Sequence, residues 1–212
     1  MSFRPQARRL VAPICFALAL GGPLAGEHGA RADTLSEAAH AIETLIAQGQ
    51  SEDAVAAARQ FLRRVTDQTG FGVTNARLIE SPATGYGIYV PRESNTYLPG
   101  DPVYAYVEVY GFSLSSQRNG ANRLMFDVAF TLDTPDGQQM TDAMIPMGEI
   151  LLESFSEPVD GYFHLTYRVT GAEGAFNLRT RVTDRESGQS AEFVLPVVFA
   201  ASTPQAAPAI GK

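Results

Sequence analysis

Residues 160–199 read DGYFHLTYRVTGAEGAFNLRTRVTDRESGQSAEFVLPVVF, and their spacing decides the fold. Phe163, Leu165, Tyr167 and Val169 alternate with more polar neighbours. So do Phe176, Leu178, Thr180 and Val182, and after them Ala191, Phe193, Leu195, Val197 and Phe199. A period of two gathers the apolar residues of each run on one face, the pattern of half-buried strands. The segments Gly171 to Gly174 and Glu186-Ser187-Gly188 supply turns between them. If Asp184 to Gln189 closes the last hairpin, Val182 faces Ala191, Thr180 faces Phe193 and Leu178 faces Leu195. A slip of one residue would turn one strand's apolar set to solvent, so this register is the expected one. It sets Arg181 opposite Glu192 on the outer face. Asp160-Gly161-x-Phe163-x-Leu165-x-x-Arg168-Val169-Thr170 also recurs thirteen residues later, starting at Glu173, which marks two successive strands entered by similar turns.

The same period runs upstream. Val103, Ala105, Val107 and Val109 alternate with Tyr104, Tyr106, Glu108 and Tyr110, and Leu124, Phe126, Val128, Phe130 and Leu132 follow. Pro99-Gly100-Asp101, Pro135-Asp136-Gly137 and Asp160-Gly161 punctuate them. Regular short strands with such turns predict an antiparallel β-sandwich over 71–199. The partner of the 123–133 strand has two registers. One buries Ala143, Ile145 and Met147; the other buries Met140 and Met144 together with Asp142. The first is preferred because it leaves no lone carboxylate inside.

Ahead of the strands the period is helical. Thr34 and Glu37 form a capping box, and Leu35, Ala38, Ala39, Ile42, Leu45 and Ile46 make an apolar stripe that ends at Gly49. Ser51 restarts a second helix with Val55, Ala58, Phe61, Leu62 and Val65 on its stripe and Arg63 and Arg64 near its negative end. Residues 33–68 therefore predict a helical hairpin. The hairpin carries more apolar surface than two helices hide, so Leu35, Ile42, Leu45 or Phe61 is expected against the sheet face bearing the three tyrosines. The segment 200–212, rich in Ala and Pro, is expected to be flexible.

The Pro-Gly-Asp before Val103, the Gly-x-Tyr/Phe-x-Leu strand entries, and Val182-Thr183-Asp184-x-x-Ser187-Gly188 before a closing strand resemble immunoglobulin-like or fibronectin-III-like domains of bacterial exported proteins. The resemblance covers 71–199 and implies a mainly β, antiparallel immunoglobulin-like β-sandwich behind the N-terminal hairpin. It implies adhesion, scaffolding or presentation of a partner site. The chain has no tryptophan, so the Cys-Trp-Cys core of true immunoglobulin domains is absent.

The N-terminus carries an address. Arg4, Arg8 and Arg9 precede an apolar run from Leu10 to Leu20, and Ala30-Arg31-Ala32 offers a small-residue cleavage site before Asp33. That order reads as a secretory signal peptide over 1–32, hence a periplasmic or secreted protein with no stable membrane span after processing. The 212 residues are 45% apolar and 18% charged, an ordinary globular balance. A net charge of −7 argues against a nucleic-acid partner, and removing 1–32 takes away four arginines against one acid. Cys15 is the only cysteine and leaves with the signal peptide, so no disulfide or cysteine-based zinc site is expected.

Motifs of nucleophilic, zinc-protease, phosphate-loop or dinucleotide chemistry are absent from the sequence. No catalytic residue, cofactor or metal is assigned. His40 and His164 read as surface residues. Met140, Met144 and Met147 would suit Cu(I) as thioethers but read as core filler, and Asp133 and Asp136 with Gly137 hint at calcium but read as a hairpin turn. Glu149, Glu153, Glu157 and Asp160 are the acids a glycosidase-like alternative would use. Two surfaces are candidates for a partner, either an envelope protein or an anionic ligand. One is the stripe of Tyr104, Tyr106 and Tyr110; the other is a cationic patch of His164, Arg168, Arg179 and Arg181 on one sheet face. The expected function is a non-enzymatic binding or accessory module, with an envelope hydrolase or carbohydrate-active protein as the alternative. Export should cut after Ala32, and intact-mass analysis of the exported protein checks it: a species retaining Leu10 to Leu20 would refute the assignment.

Overall fold

In the computed structural model, which describes residues 28–201 and side chains from Leu35 onward, α1 (His28–Ala47) and α2 (Ser51–Thr69) form an antiparallel pair. Gly49 ends α1 at φ +74°, with Gln50 N–H bonded to Leu45 C=O and Gly49 N–H to Ile46 C=O. That is a Schellman stop, and it needs the left-handed backbone that glycine adopts freely. Two terminal expectations are corrected. α1 starts at His28, so Thr34 lies inside the helix and not at its N-terminus. α2 continues to Thr69, so Arg63 and Arg64 are not in its last turn; Arg63 Nη2 instead donates to the Pro158 carbonyl at 2.6 Å. Most of the expected signal peptide, residues 1–27, and all but the first two residues of the expected tail lie outside the described residues. No described helix is long and apolar enough to cross a membrane.

The rest is mainly β. β1 (Gly72–Ile79), β3 (Val103–Tyr110) and β7 (Asp160–Tyr167) pair in the order β1-β3-β7. A second, larger sheet runs β2-β9-β8-β5 from β2 (Thr96–Tyr97) through β9 (Ser190–Phe199) and β8 (Gly174–Asp184) to β5 (Asn122–Asp133). The short β4 (Ser115–Ser116) and the long β6 (Ile145–Ser154) both join β5. All ladders are antiparallel except β2 on β9. The alternation read from the sequence holds: Val103, Ala105, Val107 and Val109 of one sheet and Phe126, Val128, Leu178 and Val182 of the other share one core.

Phe126 is the hub of that core. Its ring lies 5.7 Å from Phe71 at the end of the helical hairpin, 6.1 Å from Phe112 in the β3–β4 connection and 5.7 Å from Phe163 of the opposite sheet. A second clasp between sheets is polar: the Tyr167 and Thr180 hydroxyls share a 2.8 Å hydrogen bond. Both residues are fully buried, and each satisfies the other there. Asp184, also fully buried, accepts from Ser113 N–H at 3.0 Å and from the Ser187 hydroxyl at 2.6 Å, tying the β8–β9 turn to the β3–β4 connection.

The β8–β9 register is the expected one, with Val182 on Ala191, Thr180 on Phe193, Leu178 on Leu195 and Arg181 on Glu192. Arg181 and Glu192 form an outward ion pair at 2.7 Å. The two echoing segments occupy different sheets, β7 in one and β8 in the other.

Two packing expectations fail. Neither β5–β6 register is adopted as drawn: Ala143 and Ile145 are exposed, and Met147 is the only residue of the preferred set that packs on the core. A bulge between Val128 and Ala129, with Gly148 at φ +107°, changes which residues face inward, so Ile150 and Leu152 take over. Nor does the hairpin dock on the tyrosine face. α1 and α2 pack mainly on each other; among their described side chains only Ala54 and Thr66 are buried, and Ile46, Val55 and Leu62 stay exposed. Leu35, Ile42, Leu45 and Phe61 are half-buried, and Phe61 shares a crevice with Ala38 and Ala41 of α1. Small alanines let the helices approach closely, and the tyrosine face already has a cover, described below.

Deleting residues 28–68 should therefore leave the melting temperature of the β portion little changed. Phe126→Ala should lower unfolding free energy by about 3–5 kcal/mol, as emptying an aromatic core site does. Chemical denaturation of both variants checks the contrast; a larger loss from the deletion would refute it.

Candidate functional site: a cleft between two open sheet edges

The two sheets meet differently on their two sides. On one side β1 packs beside β9, which β2 extends. On the other, β7 ends the first sheet, β6 ends the second, and no ladder joins them. Between these edges lies a cleft of about 660 Å³. Leu124, Ile150, Leu152 and Phe163 form its apolar floor; Glu149, Glu153, Asp160 and His164 line its walls, and Tyr86 and Tyr162 cover one end. An apolar floor with a few polar groups at the rim, at this volume, is the usual make-up of a ligand site.

The cover comes from residues 80–95, the β1–β2 connection. Tyr89 lies 4.3 Å from Tyr106, Tyr106 lies 5.7 Å from Tyr162, and Tyr162 lies 6.0 Å from Tyr86, so four rings run in sequence toward the cleft. The Tyr106 hydroxyl accepts from Gly87 N–H at 2.7 Å and donates to Glu108 Oε1 at 2.8 Å. Asn75 donates to the same oxygen at 2.8 Å, from a β1 bulge where its φ is +48°. Burial pushes the Tyr106 phenol up from 10.0 to about 12, and the Glu108 carboxylate adds to the rise. Tyr86 is half exposed; it donates to Asp160 Oδ2 at 3.1 Å, and burial first, then that carboxylate, raise its phenol further still.

The acids of the cleft are held by partners. Glu149 pairs with Arg185, Glu153 pairs with Arg123 at 2.9 Å, and Asp160 takes the Tyr86 proton donor. Arg185 also reaches Asp127 at 3.5 Å. Each of the three acids therefore has a hydrogen-bonding or ionic partner that fixes its position in the cleft. Among the described residues no three His, Cys, Asp or Glu side chains are grouped to hold a metal ion. Met140 is exposed, Asp133 is buried on Arg179 at 2.6 Å, and Asp136 is held below the usual carboxylate range by hydrogen bonds from Thr134 and its own backbone.

The sequence-based site residues divide. The tyrosine stripe is not open surface: Tyr106 is fully buried under residues 80–95, Tyr104 is half-buried, and the half-buried Tyr110 lies where a side chain at Gly72 would sit. The cationic patch does not assemble. His164 is on the outer face of β7 and Arg168 follows that strand, whereas Arg179 and Arg181 are on β8 of the other sheet. Arg179 is engaged by Asp133, Gln139 and Glu192, and Arg181 by Glu192. Of the seven residues only His164 reaches the cleft, beside Glu149, Glu153 and Asp160, which the sequence offered only as hydrolase acids. Tyr86, Tyr89 and Tyr162 were missed. The signal for the first two was Gly85-Tyr86-Gly87-Ile88-Tyr89, two tyrosines spaced by glycines in a segment with no strand pattern.

No family model and no curated protein matches the chain. Among solved structures it is similar to the sporulation control protein Spo0M of Bacillus subtilis, with 13% identity over 63% of this chain and 50% of that one, and a TM-score of 0.32. It is similar to the Pseudomonas fluorescens alkylpurine DNA glycosylase AlkC, with 12% identity over 77% of this chain and 37% of that one, at a TM-score of 0.34. A Niemann-Pick type C2 protein from the Japanese carpenter ant gives 6% identity over 61% of this chain and 92% of that one, at 0.33. The chain thus spans half or less of the first two proteins. Likeness at this level assigns neither family nor activity.

The tyrosine cluster predicts an alkaline response. A phenol raised above its unfolded value of 10.0 contributes stability that is intact below pH 10 and is lost as pH climbs toward about 12. Tyr106→Phe should flatten part of that loss relative to wild type, measured by denaturation between pH 9 and the onset of alkaline unfolding. An identical slope would refute it.

Proposed function

We propose that the protein is an exported, non-enzymatic binding or accessory module on an immunoglobulin-like frame, and that it binds through the β6–β7 cleft. The order of basic, apolar and small residues over 4–32 supports export. The strand order supports the frame. Lettered in chain order, the long strands β1, β3, β5, β6, β7, β8 and β9 stand as A, B, C, C′, E, F and G. The resulting groups, A-B-E and G-F-C-C′, favour an immunoglobulin-type reading of the two sheets. The observation that carries the binding reading is the cleft itself, with its apolar floor between two unpaired edges and its half-exposed Tyr86 at the mouth.

A second reading, a glycan- or ester-cleaving enzyme, is favoured by the meeting of Glu149, Glu153, Asp160 and His164 in one cleft. The partners of the three acids weigh against it. Capture from an envelope extract, beside turnover assays on glycans and esters, separates the two. Tyr86→Ala should hold the melting temperature within a few degrees, as surface changes do, while weakening capture about tenfold. Turnover abolished by Asp160→Asn or Glu153→Gln would establish the enzyme instead.

A further inference from the structure

We propose that the cleft takes an extended peptide segment, which adds as a strand to the free edge of β6 and carries, in succession, one basic, three apolar and one basic residue. This rests on the cleft being the binding surface and names what that surface receives.

The first support is the backbone. β6 bonds β5 along one side, from Ser154 on Asn122 to Ile145 on Phe130. On the other side Ile145–Ser154 makes no further backbone–backbone hydrogen bond among the described residues, and the facing edge of β7 makes none either. The N–H and C=O groups of a strand point alternately to its two sides, so alternate residues of β6 present a donor and an acceptor to the cleft. A row of unpaired groups beside an apolar floor is what an added strand pairs with.

The second support is the side-chain pattern of the edge, Glu149-Ile150-Leu151-Leu152-Glu153. Ile150 and Leu152 turn to the core, while Glu149, Leu151 and Glu153 face out, Leu151 being 49% exposed. Directly opposed side chains on neighbouring strands lie about 5 Å apart. Outward residues of an added strand would therefore meet Glu, Leu and Glu, and its inward ones would meet Ile150, Leu152 and Phe163. Arg185 and Arg123 each engage a single oxygen of Glu149 and Glu153, and Asp160 adds a third acid from the β7 wall. Basic, apolar and basic is the complement of that outer row. The pattern reads the same in both directions, so it suits a parallel or an antiparallel strand.

A second copy of this chain does not suit. β6 against β6 about Leu151 would oppose Glu149 to Glu153 twice, and like charges directly opposite destabilise a sheet. That register of self-pairing is disfavoured, and the occupant proposed is a foreign segment.

The test uses the full chain, labelled with nitrogen-15, and an end-blocked heptapeptide, Thr-Lys-Val-Leu-Val-Lys-Thr. Saturable amide shifts centred on 148–154 and 160–164, with slowed exchange at alternate residues of β6, are expected. A peptide N-methylated at alternate amides, and one with both lysines replaced by glutamate, should each bind about tenfold or more weakly. Glu149→Gln with Glu153→Gln should erase the preference for lysine over glutamate. Equal binding of the N-methylated peptide in the cleft overturns strand addition and leaves the cleft as a binding surface. Equal binding of the glutamate peptide overturns the basic requirement. No shift in β6 or β7 overturns the proposal, and capture by wild type but not Tyr86→Ala would then show that the cleft still binds something else. Dimerisation of the peptide-free protein through β6 overturns the choice of a foreign segment.

Discussion

One aromatic contact holds the β portion together: Phe126 of the larger sheet against Phe163 of the smaller, flanked by Phe71 and Phe112. A chain without a disulfide in its described part relies on its apolar core to hold two sheets face to face. Rings that each bury a large area do this with few residues. Around Phe126 the chain also gains its connectivity. Phe71 ends the helical hairpin, Phe112 fixes the β3–β4 connection, and Asp184 bonds to that same connection from the β8–β9 turn. The polar clasp of Tyr167 and Thr180 adds a second tie between the sheets, where the two buried hydroxyls bond each other.

Two sheets joined through such a core have four edges, and the chain treats them unequally. β1 lies along β9, and the β1–β2 connection folds back over β3 to bring Tyr89 and Gly87 onto Tyr106. On the opposite side, among the described residues, only Tyr86 of that connection reaches the cleft, and the facing edges of β6 and β7 make no backbone pairing. Open edges invite unwanted pairing, and charged side chains limit it. Glu149 and Glu153 on β6 and Asp160 on β7 meet that need, and the bulge at Gly148 twists the start of β6 away. Under the strand-addition proposal the same acids would also select the partner, and protection from self-association and discrimination among partners would be one device.

The strand pattern was legible because burial on a sheet repeats every two residues, and Leu178 to Val182 and Ala191 to Phe199 each keep that period on either side of their turn. The sheet to which each strand belongs was not legible. Asp160-Gly161 and Glu173-Gly174 open nearly identical segments, yet β7 and β8 lie in opposite sheets, because pairing partners are chosen by contacts distant in sequence. β6 defeated the pattern at one residue: Gly148 takes a positive φ, and beyond it the inward positions change parity. The cover over Tyr106 was hidden for another reason. Gly85 to Tyr89 forms no regular strand, so periodicity had nothing to report, and the docking expectation went to the nearest apolar element, the hairpin. Arg179 and Arg181 looked like a patch because the sequence cannot show Asp133 and Glu192 beside them.

The hairpin's position follows from where it is tethered. Gly70, at φ +81°, turns the chain out of α2, and Phe71 enters the core at once, its N–H held by Gln189 Oε1 at 2.8 Å. The tether is thus set by the hub, while the helices keep their outer faces free. Their main polar hold on the sheets is Arg63 on the carbonyl of Pro158, in the β6–β7 connection. That connection runs from the end of one cleft edge to the start of the other, and Pro158 itself lines the cleft. Through Arg63 the hairpin thus meets the sheets at the stretch of backbone that links the two edges of the cleft.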